Sequence, residues 1–326
     1  MLDSEFRFKI VEEKFGSDLS YTLLDSDTGE FVTILPSLGG AINRMGLRKD
    51  NELIEILDGY ADEEDVQKNL TTSFKGSNLF PFPNRIRDGK YSFVEQAYQL
   101  PLNFPQESNS IHGLVYDKQF RVVDKEDGEI GCLIIIEYSP KESKGYPFNC
   151  LFKVVYALKE GTGFECRIKV SNLMDRSIPV GHGWHPYFTA RTEKIDDLWL
   201  QFPSKTTLEV DKQNIPTGKK EPYHEFNRLT RIGDTKLDNC FELKDDERIA
   251  EINILNKDMD FGFTIWQETG KYKYNFLQVY TPPHRKSIAI EPMTCAPDAF
   301  NNKDGLIVLG PFESFYAVCG IKHTLS

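Results

Sequence analysis

The sequence predicts an all-β protein, organised as one large antiparallel β-sandwich. Apolar and polar residues alternate over many short runs, turn-forming residues separate these runs, and helical periodicity is scarce. This combination is typical of stacked antiparallel sheets. No change of composition and no Pro/Ser-rich linker divides the 326 residues. We therefore expect a single domain over residues 1–326, although chains of this length often contain two domains.

Half-buried strands are marked by apolar residues at every second position, because successive side chains of a strand point to opposite faces. Runs of this kind contain Phe6, Phe8 and Ile10; Cys166, Ile168 and Val170; Leu208 and Val210; and Ile252 and Ile254.

Two longer runs, residues 133–136 and 151–158, are almost wholly apolar and predict strands that are covered on both faces. The sequences Asp-Ser-Asp-Thr-Gly-Glu at 25–30 and Gly-Thr-Gly at 161–163 predict turns, the second within a hairpin. Helical character is confined to residues 61–70, whose acidic beginning suits the N-terminus of a helix.

The charge of the chain argues against a polyanionic partner. Its 39 Lys and Arg residues are outnumbered by 50 Asp and Glu residues, which gives a net charge of -11. We therefore expect neither nucleic acids nor anionic membrane surfaces to bind. No apolar run approaches the ~18 residues that span a bilayer. The charged segment 1–10 lacks the apolar core of a signal peptide, so we expect a cytoplasmic protein.

Cysteine and histidine spacing indicates neither disulfides nor a metal ion. The six cysteines are scattered without a Cys-x-x-Cys pair, which predicts reduced cysteines that fill core space. His182 and His185 are three residues apart, so strand alternation places them on opposite faces. We therefore expect no metal site.

Two histidines are candidates for proton transfer, since the unperturbed pKa of histidine lies near neutrality. His185 precedes Pro186, which interrupts strand pairing, and its neighbours Trp184 and Tyr187 resemble the wall of a cleft. His112 lies at a passage between a loop and a strand. The remaining polar segments contain His224, His284 and His323, which we expect at the surface.

Three charged residues complete the candidate site. Glu291 follows an apolar strand and precedes Pro292, which we expect to end the strand pairing. Its carboxylate therefore either caps the strand end or faces a site. Arg85 lies between a Pro-rich loop and a strand, where its donor fork suits sugar hydroxyls or a phosphate. Asp238 has the capacity to accept two hydroxyl hydrogen bonds, although Asp-Asn is often only a turn.

Taken in order, these segments resemble the aldose 1-epimerase (galactose mutarotase) family over nearly the whole chain. Each segment is weak alone, but six in the family's order form a strong signal. They are Pro83-Asn84-Arg85-Ile86 with Gly89 and Tyr91; Ile111-His112-Gly113; His185-Pro186-Tyr187-Phe188; Asp238-Asn239-Cys240-Phe241; residues 278–281; and Glu291-Pro292 with residues 297–301.

The resemblance implies the galactose mutarotase-like sandwich and an isomerase that interconverts the α and β anomers of a hexose. It implies His185 as general acid, Glu291 as general base and His112 as a second histidine that polarises the region of the sugar ring. The chemistry agrees, because ring opening takes a proton from the C1 hydroxyl and supplies one to the ring oxygen. A carboxylate and an imidazolium suit these two transfers near neutral pH.

For binding, the resemblance implies that Arg85 and Asp238 contact hydroxyl groups and that Asn84 supports the loop. An aromatic residue such as Trp184 or Tyr187 would pack on the C–H face of the sugar. We expect no cofactor and no partner other than the sugar, and the sequence leaves the oligomeric state open.

The chain departs from the family pattern around the acid histidine. Well-studied galactose mutarotases commonly carry Asn before this histidine and Asn-Leu after Tyr-Phe, whereas Trp184 precedes His185 here and Thr189-Ala190 follow Phe188. The His-Pro-Tyr-Phe form resembles less characterised branches of the family. The identity of the sugar, and whether turnover is retained, are therefore open.

Three alternatives to a mutarotase of free hexoses follow from the same residues. Arg85 and Arg87, with Lys90 nearby, would suit a hexose 6-phosphate, since a phosphate favours more than one cation. A non-catalytic carbohydrate-binding protein would keep Arg85 and Asp238 but need neither His185 nor a base. A glycoside hydrolase or lyase would need two catalytic carboxylates, whereas the strongest pair here is a histidine with a glutamate.

Overall fold

The computed structural model describes residues 6–140, 143–244 and 247–324. Asp3 and Glu5, on which the expectation about a signal peptide partly depends, lie outside this range. Within it the chain is built from antiparallel strands with two α-helices, α1 (Glu63–Ser73) and α2 (Ala299–Asn302). The predicted all-β class is therefore confirmed.

In chain order the strands are β1 (Phe8–Phe15), β2 (Asp18–Asp25), β3 (Phe31–Leu35), β4 (Ala41–Lys49), β5 (Glu52–Glu55), β6 (Asn78–Leu79), β7 (Arg85–Arg87), β8 (Lys90–Phe93), β9 (Gln96–Gln99), β10 (Asn109–Ile111), β11 (Arg121–Glu126), β12 (Gly131–Tyr138), β13 (Cys150–Lys159), β14 (Gly163–Asn172), β15 (Ile178–Val180), β16 (Gly183–Trp184), β17 (Tyr187–Phe188), β18 (Trp199–Gln201), β19 (Ser204–Val210), β20 (Pro216–Pro222), β21 (Thr230–Arg231), β22 (Asp238–Leu243), β23 (Ile249–Asn256), β24 (Phe261–Glu268), β25 (Phe276–Tyr280), β26 (Ile288–Met293), β27 (Ile307–Leu309) and β28 (Ser314–His323).

Two large sheets form the body of the sandwich. One has nine strands in the order β11-β12-β13-β14-β28-β24-β23-β18-β21, and the other runs β20-β19-β22-β25-β26-β16-β6, with β17 also paired to β26. Their inner faces meet through aromatic contacts such as Phe164 with Trp184 and Phe188 with Phe263. The N-terminal meander β1–β5 forms a third sheet, and β1 and β2 pack against β12.

The alternation read from the sequence corresponds to one-sided burial in β14 and at Ile252 and Ile254 of β23. It is wrong for the run at 6–10, where Phe6 is exposed, Ile10 is half-buried and only Phe8 is buried. In β14, Cys166, Ile168 and Val170 are buried and their neighbours are only half-buried. All six cysteines are buried and unpaired. The hairpin predicted at 161–163 joins β13 to β14, and His224, His284 and His323 are exposed.

The expectation that residues 133–136 and 151–158 are covered on both faces is wrong for 133–136 and 151–155, and it holds only for 156–158. In β12 burial alternates, so Ile134 and Ile136 are buried while Leu133 and Ile135 are half-buried. In β13 the side chains at 151, 153 and 155 are likewise half-buried. These strands belong to an antiparallel sheet with one core-facing side, and apolar residues on the outer side raise the hydrophobicity of the run without full burial.

The predicted helix exists, but it begins two residues later and ends three residues later than the predicted segment 61–70. Helix α1 begins after Asp62, whose side chain accepts a hydrogen bond from the backbone N–H of Asp65 at 2.8 Å, and Glu63, Glu64 and Asp65 occupy its first turn. The cap satisfies an orphan donor and the acidic residues favour the N-terminal dipole. No helix in the described parts of the chain is long and apolar enough to cross a bilayer.

Candidate active site

A cleft of about 210 Å³ lies beside the eight-stranded sheet. Six of the side chains that line it are the six site residues predicted from the sequence: Asn84, Arg85, His112, His185, Asp238 and Glu291. The chain thus brings together residues more than two hundred positions apart. Their roles in binding or catalysis stay predictions, which the geometry supports.

Glu291 is carried by β26, an interior strand of the sheet. It lies opposite Gln278 of β25 and is 2 % exposed. The expectation that Pro292 ends the pairing is wrong, since Pro292 pairs with Leu277 and the strand continues to Met293.

The reason lies in the direction of the backbone N–H groups around Pro292. Ile290 N–H donates to the Pro186 carbonyl and Thr294 N–H donates to the His182 carbonyl. Alternate residues of a strand face the same neighbour, so the Pro292 nitrogen faces that neighbour too. The ladder with β25 on the other side is unaffected.

His185 lies in the gap between β16 and β17, where Pro186 interrupts the ladder as the sequence predicted. Its Nε2 atom is 3.4 Å from Glu291 Oε1, and its ring stacks on Tyr187 with centroids 5.0 Å apart. Tyr187 therefore belongs to the cleft wall. Trp184 does not: it is fully buried and its Nε1 donates to the Gly76 carbonyl.

His112 forms the neighbouring part of the wall directly after β10. Its ring lies 4.7 Å from that of Phe74 and 4.9 Å from that of His185, centroid to centroid. The next residue is glycine for a steric reason, because a Cβ at Gly113 would lie 2.2 Å from the Phe80 carbonyl oxygen. That close approach fixes the turn in which His112 adopts a φ of 59°.

Burial disfavours the charged forms of the central residues. It lowers the pKa of His185 to about 3. It also lowers the pKa of His112 well below its usual range, and the nearby His185 and Arg85 lower that pKa further. Burial raises the pKa of Glu291 well above its usual range; Asp238 adds to this rise and Arg85 opposes it. These shifts run against the expected pair of a freely ionised carboxylate and imidazolium, because burial favours the neutral form of each group.

A chain of hydrogen bonds orients the binding residues. The Asn84 side-chain oxygen accepts from Arg85 N–H at 2.9 Å and from Arg85 Nη1 at 3.3 Å. Asn84 Nδ2 donates to Gln278 Oε1 at 3.3 Å, and Gln278 Nε2 donates to Asp238 Oδ1 at 2.9 Å. Asn84 adopts a φ of 55°, a conformation that asparagine tolerates better than most residues.

Seven residues of the cleft wall had no site role in the sequence-based prediction. Three of them, Ile111, Gln278 and Tyr280, lie in segments of the family resemblance, and the other four, Thr72, Phe74, Phe104 and Glu107, lie outside these segments. Glu107 lies in the 3-10 turn Pro105–Glu107 and binds Arg85 through both carboxylate oxygens. It is one of 50 acidic residues, and no local pattern distinguishes it. Only the fold places it beside Arg85.

Arg87, expected beside Arg85 as a second cation, does not line the cleft. Its guanidinium contacts the Asp211 carboxylate and donates to Gln213 Oε1 at 2.7 Å. The two arginines thus have separate acidic partners, because Arg85 is bound by Glu107.

Three side chains of the cleft lie close enough together to act as ligands of one metal ion. The ligating atoms of His112, His185 and Glu291 lie within 4.8 Å of one another, and two imidazoles with a carboxylate are ligands that suit zinc. The three residues come from separate segments, so sequence spacing gave no sign of them. His182 is not part of this set, because its ring contacts Asn78 Oδ1 and the Tyr274 hydroxyl in the core.

Comparison with known proteins places the chain among sugar epimerases. A sequence model of the family aldose 1-epimerase matches residues 21–322. The chain is 30 % identical to the uncharacterized Escherichia coli (strain K12) protein YihR over 253 residues, which are 75 % of this chain and 79 % of the relative. It is 27 % identical to the galactose mutarotase of Rattus norvegicus over 218 residues, which are 58 % and 60 % of the two chains.

Solved structures show the same fold. A galactose mutarotase-like protein from Clostridium acetobutylicum superposes with a TM-score of 0.85 at 21 % identity, covering 98 % of this chain and 99 % of the other. A galactose 1-epimerase from Lactobacillus acidophilus NCFM superposes with a TM-score of 0.77 at 18 % identity, covering 98 % and 100 %. At these identities the likeness establishes architecture, and the reacting residues have to be argued from the cleft itself.

Proposed function

Because this chain belongs to the aldose 1-epimerase family, we propose that it interconverts the α and β anomers of a free hexose by acid/base opening and closure of the ring. Membership makes it an isomerase of the epimerase type. The free hexose and the residues that act on it are the proposal.

The observation that carries the proposal is the contact between His185 and Glu291, whose Nε2 and Oε1 atoms are 3.4 Å apart at the cleft. The two oxygens that exchange protons during ring opening, the C1 hydroxyl and the ring oxygen, are bonded to the same carbon. Two proton-transfer groups that serve them must therefore be neighbours. His185 and Glu291 are neighbours and both line the cleft.

In the proposed reaction Glu291 accepts the proton of the C1 hydroxyl while His185 donates a proton to the ring oxygen. The bond between C1 and the ring oxygen breaks and the aldehyde forms. Rotation about the bond between C1 and C2 presents the other face of the aldehyde. The same two transfers in reverse then close the ring as the other anomer, so no proton is gained or lost.

A single proton held by the buried pair suits this reversible exchange. In the unliganded cleft, burial favours the neutral forms of His185 and Glu291. A sugar hydroxyl that donates to the Glu291 carboxylate stabilises the form in which the proton is on His185. His112, which contacts the His185 ring, is proposed to polarise the ring region of the sugar as a neutral imidazole.

Three further residues are proposed to bind the sugar. Arg85 and Asp238 both face the cleft. They lie at the two ends of a series of hydrogen bonds that runs through the side-chain amides of Asn84 and Gln278. Arg85 offers donors and Asp238 offers acceptors, which matches the mixed hydrogen-bonding capacity of hydroxyl groups. Tyr187 and the other aromatic residues of the wall supply apolar surface for C–H groups.

The experiment is polarimetry of freshly dissolved α-anomers, with and without protein, for free hexoses and for their 6-phosphates. We expect the protein to accelerate the approach to anomeric equilibrium for at least one free hexose, at a rate proportional to its concentration. Exchange spectroscopy of the anomeric protons by NMR provides a second readout. Sugar binding without acceleration for any sugar would favour the non-catalytic alternative, and acceleration only for phosphates would favour the hexose 6-phosphate alternative.

A further inference from the structure

We propose that Glu107 makes the Arg85 end of the cleft selective for neutral sugars, against sugars that carry a carboxylate or a phosphate at that position. The inference rests on the proposed function, because it concerns the substrate class of the same cleft. It assigns a role to a residue that the proposed mechanism does not use.

Glu107 occupies part of the donor fork of Arg85. Arg85 Nε donates to Glu107 Oε2 at 2.6 Å and Nη2 donates to Glu107 Oε1 at 3.3 Å. A third N–H donates to Asn84 at 3.3 Å. Since a guanidinium has five N–H donors, two remain for a ligand.

Glu107 is held in place from the opposite side by the segment that follows β19. Asn214 Nδ2 donates to Glu107 Oε1 at 3.4 Å, and Gln213 Nε2 donates to the Glu107 backbone carbonyl at 3.1 Å. The Arg85 and Glu107 side chains are only 10 % and 25 % exposed. The ion pair is therefore a fixed part of the wall rather than a mobile surface pair.

The charges of the cleft wall disfavour an anion. Of the described residues that line it, Arg85 is the one Lys or Arg, whereas Glu107 and Asp238 are acidic residues close to it. The second arginine of β7, Arg87, is bound to Asp211 and Gln213. An anionic group placed at Arg85 would meet the Glu107 carboxylate at short range, where partial burial weakens the screening by water.

A hydroxyl group has no such conflict at the same place. Its oxygen accepts from the two remaining N–H groups of Arg85, and its hydrogen is donated to a carboxylate oxygen of Glu107 or Asp238. The wall therefore favours groups that both donate and accept hydrogen bonds, and it disfavours groups that only accept hydrogen bonds and carry a negative charge. This is selection by repulsion as well as by attraction.

The test compares matched pairs of ligands by titration calorimetry or NMR. Glucose is paired with glucuronate, and galactose with galacturonate, so that within each pair only the group at C6 changes from neutral to charged; glucose 6-phosphate is the third anion. We expect the parent protein to bind the neutral member at least ~10-fold more tightly. In Glu107→Gln this preference should shrink by about tenfold or more, because one close negative charge is gone.

The matched control is Glu126→Gln, which removes one negative charge from an exposed position of β11 outside the cleft. The preference of Glu126→Gln for neutral over anionic sugars should equal that of the parent protein. Equal binding of neutral and anionic sugars by the parent would overturn the inference before any variant is made, as would a Glu107→Gln preference unchanged from the parent.

Failure of this inference is separable from failure of the proposed function. A parent that accelerates anomer exchange but binds uronates as well as hexoses refutes only the role of Glu107. A parent that binds neutral sugars selectively without accelerating exchange refutes only the mutarotase proposal.

Discussion

A carboxyl group that is almost wholly buried, with one oxygen lacking a protein partner, is unfavourable for folding. Glu291 is such a group: it is 2 % exposed and its Oε2 has no hydrogen-bond partner among the described residues. The Nδ1 atoms of His112 and His185 are in the same situation. Three adjacent groups kept in this state are better explained by chemistry with a ligand than by stability.

Replacing Glu291 with Gln tests the proposed base while keeping the size of the side chain. We expect anomer exchange to slow by ~10²–10⁴-fold, the range that positioned proton transfer contributes. The variant should fold normally, because it removes a buried ionisable group, and should retain much of the sugar binding. Polarimetry measures the rate of anomer exchange, calorimetry measures the sugar binding, and circular dichroism checks the folding.

His185→Asn should give a similar fall in rate, and parent-like turnover in either variant would remove that residue from the mechanism.

The pH dependence of the rate follows from the one-proton pair. A second proton adds only near the lowered pKa of His185, about 3, and then no base remains. The last proton leaves above the raised pKa of Glu291, and then no acid remains. We therefore expect a bell-shaped profile whose acid side falls only near the lowered pKa of His185, about 3, and not near neutral pH. A decline centred near pH ~6.5, the ordinary range of histidine, would contradict the lowered pKa of His185.

Residues marked by local chemistry were predictable, and residues defined only by proximity were not. His185 was recognisable because Pro186 interrupts a strand there, and Glu291 because an acid follows Ile288 and Ile290. Glu107 has no such context, since its partner Arg85 is brought to it by the fold. The pKa shifts of His185 and Glu291 were not predictable from the sequence either, because the degree of burial depends on packing from several strands.

At the scale of elements, the short strand β7 that carries Arg85 is fixed by a loop far along the chain. Asp298 N–H donates to the Arg85 carbonyl at 2.7 Å. Asp298 Oδ1 accepts from Arg87 N–H at 3.1 Å and from Asn301 Nδ2 at 2.7 Å. The segment 297–301 that contributed to the family resemblance includes the start of α2, and it thus positions β7 without lining the cleft.

Asp298→Ala should loosen β7 by removing both accepted hydrogen bonds. We expect a loss of stability of about 1–3 kcal/mol, with weaker sugar binding because Arg85 is less well positioned. Urea denaturation and calorimetry measure the two effects. Asp298→Asn is the matched control: it keeps an accepting oxygen and tolerates the φ of 60° found here, so its losses should be smaller. Unchanged stability and binding in Asp298→Ala would show that β7 needs no such support.

At the scale of the whole molecule, the three larger sheets share one hydrophobic core. A single cluster of buried residues includes Leu23 of β2, Phe152 of β13 and Leu277 of β25. Sharing a core couples the sheets energetically, so we expect one cooperative unit. This coupling supports the prediction of a single domain over residues 1–326, which stays a prediction.

Unfolding should therefore occur in one transition. We expect a single calorimetric peak whose enthalpy agrees with the van't Hoff value, and coincident curves from far-UV circular dichroism and tryptophan fluorescence. Trp184 lies between the sheets and Trp266 on β24, so fluorescence reports on the packing of the sandwich. Two resolved transitions would indicate that the N-terminal meander or another part unfolds separately.

Strand β28 has a consequence for the making of the protein in the cell. It is the last described strand along the chain, yet it lies in the middle of the nine-stranded sheet, between β14 and β24. During translation, β14 and β24 emerge from the ribosome with open edges, and open edges invite pairing with other chains. The facing edges of β14 and β24 stay unpaired until residues 314–323 have been synthesised. The nine-stranded sheet is therefore complete only after β28 has been translated.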